Sequence, residues 1–194
     1  MRRKNIKKWI LPTILVTALF GCVTISSDYY KGMMRFDSIQ SQSVIDATAR
    51  IEASHTFAPE VVTLWKNWLN TDDTIANYQR AISELEAEDM VKSGLFKTIV
   101  AGEGSDCDFL IRISSIESKP SQLMLKLTME IIDPRRNEVL TTYSNELELG
   151  TMMSYGTRLK EGIKHSLADM RTKLLSDYNE GKLGVNADQP PFLL

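Results

Sequence analysis

The chain has 194 residues, 43% hydrophobic and 25% charged, with 25 acidic against 23 basic residues and no internal repeat. Five of the bases crowd into the first eight residues, so the remainder holds 18 Lys and Arg against 25 Asp and Glu, a formal charge of −7. An acidic surface of that kind argues against nucleic acid or anionic lipid as the main partner, because approach begins against like charge.

Arg2, Arg3, Lys4, Lys7 and Lys8 precede Trp9 to Phe20, an apolar run broken only by Pro12 and two threonines and followed by Gly21. A basic n-region, a short apolar h-region and a small residue before the cut describe a secretory signal. The run is too short to span a bilayer, which takes ~20 apolar residues for ~30 Å of hydrocarbon. Its end, Leu19-Phe20-Gly21-Cys22, resembles the lipobox of bacterial lipoproteins, with Leu three residues before the cysteine and Gly just before it. Phe20 departs from the pattern, which usually holds a small residue there. The resemblance implies cleavage before Cys22, a diacylglycerol thioether on its sulfur and an N-acyl chain on its new amino group, with no other cofactor. The family's sorting rule reads the next residue. Val23 in place of aspartate implies the periplasmic face of the outer membrane. One acyl chain holds a protein only marginally, at about 0.8 kcal/mol per methylene, whereas two or three anchor it for good. The rival reading is a plain secreted protein with a free Cys22. With Cys22 lipidated, Cys107 is the one remaining thiol and no internal disulfide can form. Such a cysteine is either a buried small hydrophobe or an intermolecular bridge.

Residues 1–21 are therefore read as signal, 22–43 as lipidated Cys and tether, 44–180 as one α+β domain and 181–194 as an extended tail. Tyr29, Tyr30, Met33, Met34 and Phe36 are more apolar than a pure linker needs, so part of the tether packs on the domain or on a partner. In Val44–Phe57, Ala47, Ala49, Ile51 and Ala53 alternate with polar residues as in a half-buried strand, but the alanines equally suit a helix. Pro59-Glu60 opens a short helix carrying Trp65 and Trp68, which either fill the core or form an interface hot spot. Asn70-Thr71-Asp72-Asp73 begins a second helix with Ile75, Tyr78, Ile82 and Leu85 as its apolar stripe and Gly94 as its stop. Strands are expected at Leu95–Val100 and from Phe109, then at Leu123–Ile132, which has the clearest period-two pattern, and at Val139–Leu149. Asp133-Pro134-Arg135-Arg136-Asn137 turns the last pair, and Val139, Thr141, Tyr143, Leu147 and Leu149 share a face. A final helix from about Ser154 to Tyr178 carries Tyr155, Leu159, Ile163, Leu167, Met170, Leu174 and Tyr178 on one stripe. The expected fold is an antiparallel sheet of three to five strands with helices packed on one face.

Chemistry is sparse. His55 and His165 stand far apart, no acids or thiols have metal-ligand spacing, and no Gly-x-Ser-x-Gly elbow occurs. Gly102-Glu103-Gly104 lacks the following helix a phosphate cradle needs. Asp106 and Asp108 flank Cys107 and make it a poor nucleophile. Glu84, Glu86, Glu88 and Asp89 read as a solvated helix face.

The order from Thr71 to Tyr178 resembles a class of small envelope domains. These include the amino-terminal domain of the Tol-system periplasmic protein, lipoprotein activators of penicillin-binding proteins and lipoproteins of curli and exopolysaccharide export. The shared features are Gly94-Leu95-Phe96 after a helix, a strand opening like Cys107-Asp108-Phe109, Asp133 at a hairpin turn and a last helix. The resemblance carries no catalytic residue. The expected function is a non-enzymatic accessory factor anchored at the outer membrane, contacting another envelope protein through the apolar residues Trp65, Trp68, Tyr29, Tyr30 and Phe36. A homo-oligomeric ring or collar of an export system is the alternative, and an envelope hydrolase is disfavoured.

Overall fold

Ile45, Ala47 and Ala49 are buried while Asp46 between them faces water, and that alternation resolves the ambiguous stretch as a strand over Ile45–Phe57. The computed structural model describes residues 26–69, 72–102, 106–118, 123–150 and 155–184. The lipobox, Asn70, Thr71, Glu103, Lys119 to Ser121 and the tail beyond Gly184 lie outside the described residues, as does the side chain of Trp68. Among those described, four helices and five strands run α1 (Ser27–Met34), β1 (Ile45–Phe57), α2 (Pro59–Leu69), α3 (Asp72–Lys92), β2 (Phe96–Val100), β3 (Phe109–Ser118), β4 (Leu123–Asp133), β5 (Glu138–Gly150) and α4 (Tyr155–Asn179).

The sheet is mixed rather than purely antiparallel, with the order β2-β1-β3-β4-β5. β1 lies parallel to both neighbours, pairing Ile45–Arg50 with β2 and Ala49–Phe57 with β3. Two features demand this. α2 and α3 carry the chain back between β1 and β2, a return that suits a parallel pair. The connection from β2 to β3 is longer than the two to five residues of a hairpin, so it passes β1 instead of folding back. Only β3-β4-β5 is the expected antiparallel meander.

Asp133 makes the β4-β5 turn by accepting from the backbone N–H of Arg135 (2.8 Å) and Arg136 (3.2 Å), with Asn137 at φ 52°. Just beyond it, Ile131 faces Thr141 whereas Ile132 faces Val139. Leu140 is thus an extra residue, and the bulge flips the parity of β5. Val139, expected on the buried face, is exposed, and Leu140 packs on the core in its place.

α3 and α4 cover the inward face. The stripes read from sequence hold in both: Ile75, Tyr78, Ile82 and Leu85 are buried in α3, and Leu159, Ile163, Leu167, Met170 and Leu174 in α4. Gly94, at φ +67°, ends α3 in a left-handed turn that only glycine enters cheaply.

The acidic run of α3 is not a solvated face. Glu84 and Glu88 meet Lys31 of α1 at the surface, but Glu86 and Asp89 lie one turn beyond Ile82 and Leu85 and are buried with them. Asp89 pairs with Arg171 of α4, whose other nitrogen donates to the carbonyl of Ile39 (2.9 Å). One guanidinium therefore ties together α3, α4 and the segment after α1. Removing one partner of a buried pair leaves the other charge uncompensated, typically at 3–5 kcal/mol. Arg171→Leu should lower unfolding free energy in urea by about that much, and Asp89→Leu in the same chain should restore a large part. A loss below ~1 kcal/mol for Arg171→Leu would show that the pair does not hold the helices.

Candidate functional site

The parity that buries Ala47 and Ala49 on β1 carries His55 and Phe57 inward, and the parity of Phe109, Ile111 and Ile113 on β3 carries Ser115 and Glu117 inward. His55 and Ser115 are register partners, so their side chains meet. Nδ1 of His55 lies 2.6 Å from Ser115 Oγ, and Nε2 lies 2.9 Å from Glu117 Oε1. The second contact is close but off the line of an N–H hydrogen bond, so it acts as a charge contact. Glu117 also accepts from Tyr78 of α3 (3.2 Å) and from Tyr155 of α4, while the two phenol oxygens lie 3.1 Å apart. Burial, and next the charge of Glu117, push both phenols well above the ordinary tyrosine range, so they stay neutral donors.

Glu86 completes the cluster with no exposed surface and no aligned hydrogen-bond partner among the described residues. Burial raises its pKa from 4.5 to about 7, opposed by the positive field of His55 and the hydroxyl of Ser115 and reinforced by Glu117. Glu86 and Glu117 were legible by parity and helical spacing, but charge alone suggested solvent.

Above this floor lies an apolar cavity of 240 Å³, walled by Tyr30, Met33 and Met34 of α1, Phe57 of β1, Trp65 of α2, Ile75 and Tyr78 of α3, and Tyr155 with Gly156 of α4. Its aromatic rings touch one another: Phe57 stacks on Tyr78 at 5.4 Å, and Trp65 lies 5.7 Å from Tyr155. The residues expected at a partner-binding face thus divide. Tyr30 and Trp65 meet at one cavity, Phe36 is partly buried against the core, and Tyr29 is 57% exposed beside the cavity wall.

Other sequence candidates are quiet. His165 is exposed, 3.4 Å from Glu161. Cys107 is buried, and burial first, then Asp108 and Asp106 against the pull of Arg50, raises its thiol pKa. Arg135 and Arg136 are exposed at the hairpin tip. Among the described residues no cluster of three or more His, Cys, Asp or Glu could hold a metal ion, and no helix is long and apolar enough to cross a membrane.

No known protein-family model matches the chain, and no curated protein matches it in sequence. Among solved structures, protein XCC0632 from Xanthomonas campestris, of the family DUF330, superposes with a TM-score of 0.52 at 6% identity, over 76% of this chain and 96% of its own. The likeness is one of fold alone. A putative neuraminyllactose-binding hemagglutinin homolog from Helicobacter pylori aligns at 7% identity over 80% of this chain and 98% of its own, with a TM-score of 0.45. The LpoB C-terminal domain from Salmonella enterica aligns at 7% over 63% and 94%, with a TM-score of 0.29. Scores this low say nothing about shared function.

The raised pKa of Glu86 has a signed consequence. Between pH 4.5 and about 7 the folded chain holds a proton that the unfolded chain has released. Its stabilising contribution is full below the unfolded value and is lost as pH rises through the folded one, on the order of 3 kcal/mol in all. Urea unfolding at pH 5 and pH 8 should show the native chain losing about 2 kcal/mol more than Glu86→Gln does. Parallel losses would mean that Glu86 is not held protonated by burial.

Proposed function

We propose that the protein is a lipid-anchored envelope factor that acts by non-covalent binding, tethered through Cys22 to the periplasmic face of the outer membrane. The observation that carries this reading is the basic and then apolar leader ending in Leu19-Phe20-Gly21-Cys22. The site favours binding over catalysis. His55, the only imidazole near a hydroxyl and a carboxylate among the described residues, is buried with both of its partners. A general base must reach the proton it removes, and these groups are already committed to one another. The cavity beside them offers an apolar wall to a ligand or to a partner's side chain. The proposed partners are the membrane itself and another envelope protein.

Mass spectrometry of the mature protein from envelopes should find its first peptide beginning at Cys22 with a diacylglyceryl group and an amide-linked acyl chain. Cys22→Ser should abolish incorporation of an alkyne-bearing palmitate and leave the leader uncleaved. An unmodified Cys22 on a soluble protein would defeat the anchoring. Extraction of the native protein in mild detergent should yield a small complex with one other envelope protein. A large assembly of this chain alone would defeat the accessory role and favour a ring or collar.

A further inference from the structure

The cavity between α1 and α4 is apolar throughout. Tyr78 and Tyr155 present their rings to it but turn their hydroxyls to Glu117, so the floor has no spare polar group. Tyr30 and Trp65 line the wall, but the hydroxyl of the first and the indole nitrogen of the second are buried away from solvent and offer the cavity no donor. The matching ligand is a hydrocarbon chain, because any polar group placed inside would lose its hydrogen bonds.

Size and position narrow it again. A cavity of ~150 Å³ holds a six-carbon benzene ring, so 240 Å³ has room for roughly ten carbons. Met33 lines the cavity and is 60% exposed, which opens it at α1, and the exposed Tyr29 continues the apolar surface outward. Ser26, just ahead of α1, is four positions after Cys22, a span of at most about 14 Å. Under the anchoring proposed above, the mouth sits within a few residues of the bilayer.

We infer that this cavity binds one fatty acyl chain of a membrane phospholipid, with part of the alkyl chain inside and the ester end outside its mouth beside Met33. The source of the ligand rests on the anchoring reading, whereas the fit to an acyl chain rests on the cavity alone.

The test places the full-length lipidated protein in vesicles of phosphatidylethanolamine doped with a phospholipid whose acyl chain bears a diazirine, and maps adducts after irradiation. The protein's own lipid is not photoactive there, so any adduct comes from a separate lipid. Adducts are expected on Met33, Met34 and Trp65. Gly156 lines the cavity and a Cβ added there meets nothing within 4 Å, so Gly156→Leu should fill the space without disturbing the fold. It should cut cavity labelling by about tenfold, a loss of ~1.4 kcal/mol in occupancy, while circular dichroism and Tm stay as in the native chain. Labelling confined to Tyr29, or equal in Gly156→Leu, would overturn the proposal. So would labelling of the cavity only in Cys22→Ser, which would mean that the chain's own acyl group fills it. Cavity labelling of a protein shown by mass to lack lipid on Cys22 would remove the anchor and leave the acyl site standing.

Discussion

Glu117 is a carboxylate with no exposed surface, and the fold around it is arranged to make that tolerable. Its oxygens are met by His55 from β1, Tyr78 from α3 and Tyr155 from α4, so each element that closes over this part of β3 supplies one group. An unpaired buried carboxylate costs several kcal/mol, a large fraction of the 5–15 kcal/mol net stability of an ordinary domain. The two helices therefore cannot slide on the sheet without unpairing it. Hydrophobic stripes alone would tolerate such sliding, because one methyl packs nearly as well as the next.

The Asp89–Arg171 pair repeats the device further along the same two helices. α3 thus presents Tyr78, Glu86 and Asp89 inward among its apolar residues, and two of the three bind groups that involve α4. The cavity inherits this rigidity unevenly. Tyr78 and Tyr155 are fixed by Glu117, but α1 is an eight-residue helix held by two buried side chains and by partly exposed Lys31 contacts to Glu84 and Glu88. Exposed ion pairs contribute little, so α1 rests chiefly on the packing of Tyr30 and Met34.

Much of the fold was legible from spacing, since the stripes of α3 and α4 and the alternation of β4 bury the residues that their periods select. The position of β1 was not. A strand separated from its partners by two helices leaves no local sign of which edge it joins, and parallel pairing has no turn to announce it. Val139 was misplaced because a bulge is one extra residue with no change of composition. The site was missed for a different reason. Glu86 and Asp89 were read from their charge as a solvated face and Glu117 was passed over, although their spacing with the buried stripes of α3 and β3 points inward, where groups from other elements compensate them. Compensation between β1, β3, α3 and α4 is a property of the assembled domain and cannot be read along the chain.

That conflict locates function as well as structure. A core built only for stability would fill these positions with apolar residues of similar volume, a replacement often neutral or stabilising by 1–4 kcal/mol. Here the polar groups stand directly beneath a cavity that the same core leaves unfilled, and cavities destabilise in proportion to their volume. Both departures from optimal packing fall at one place, next to the helix nearest the proposed anchor. Under the proposed anchoring, tethering would supply lipid at high effective concentration, so the cavity would need no great affinity to be occupied. A modest apolar pocket would then suffice, and a tighter one would trap the chain it takes up.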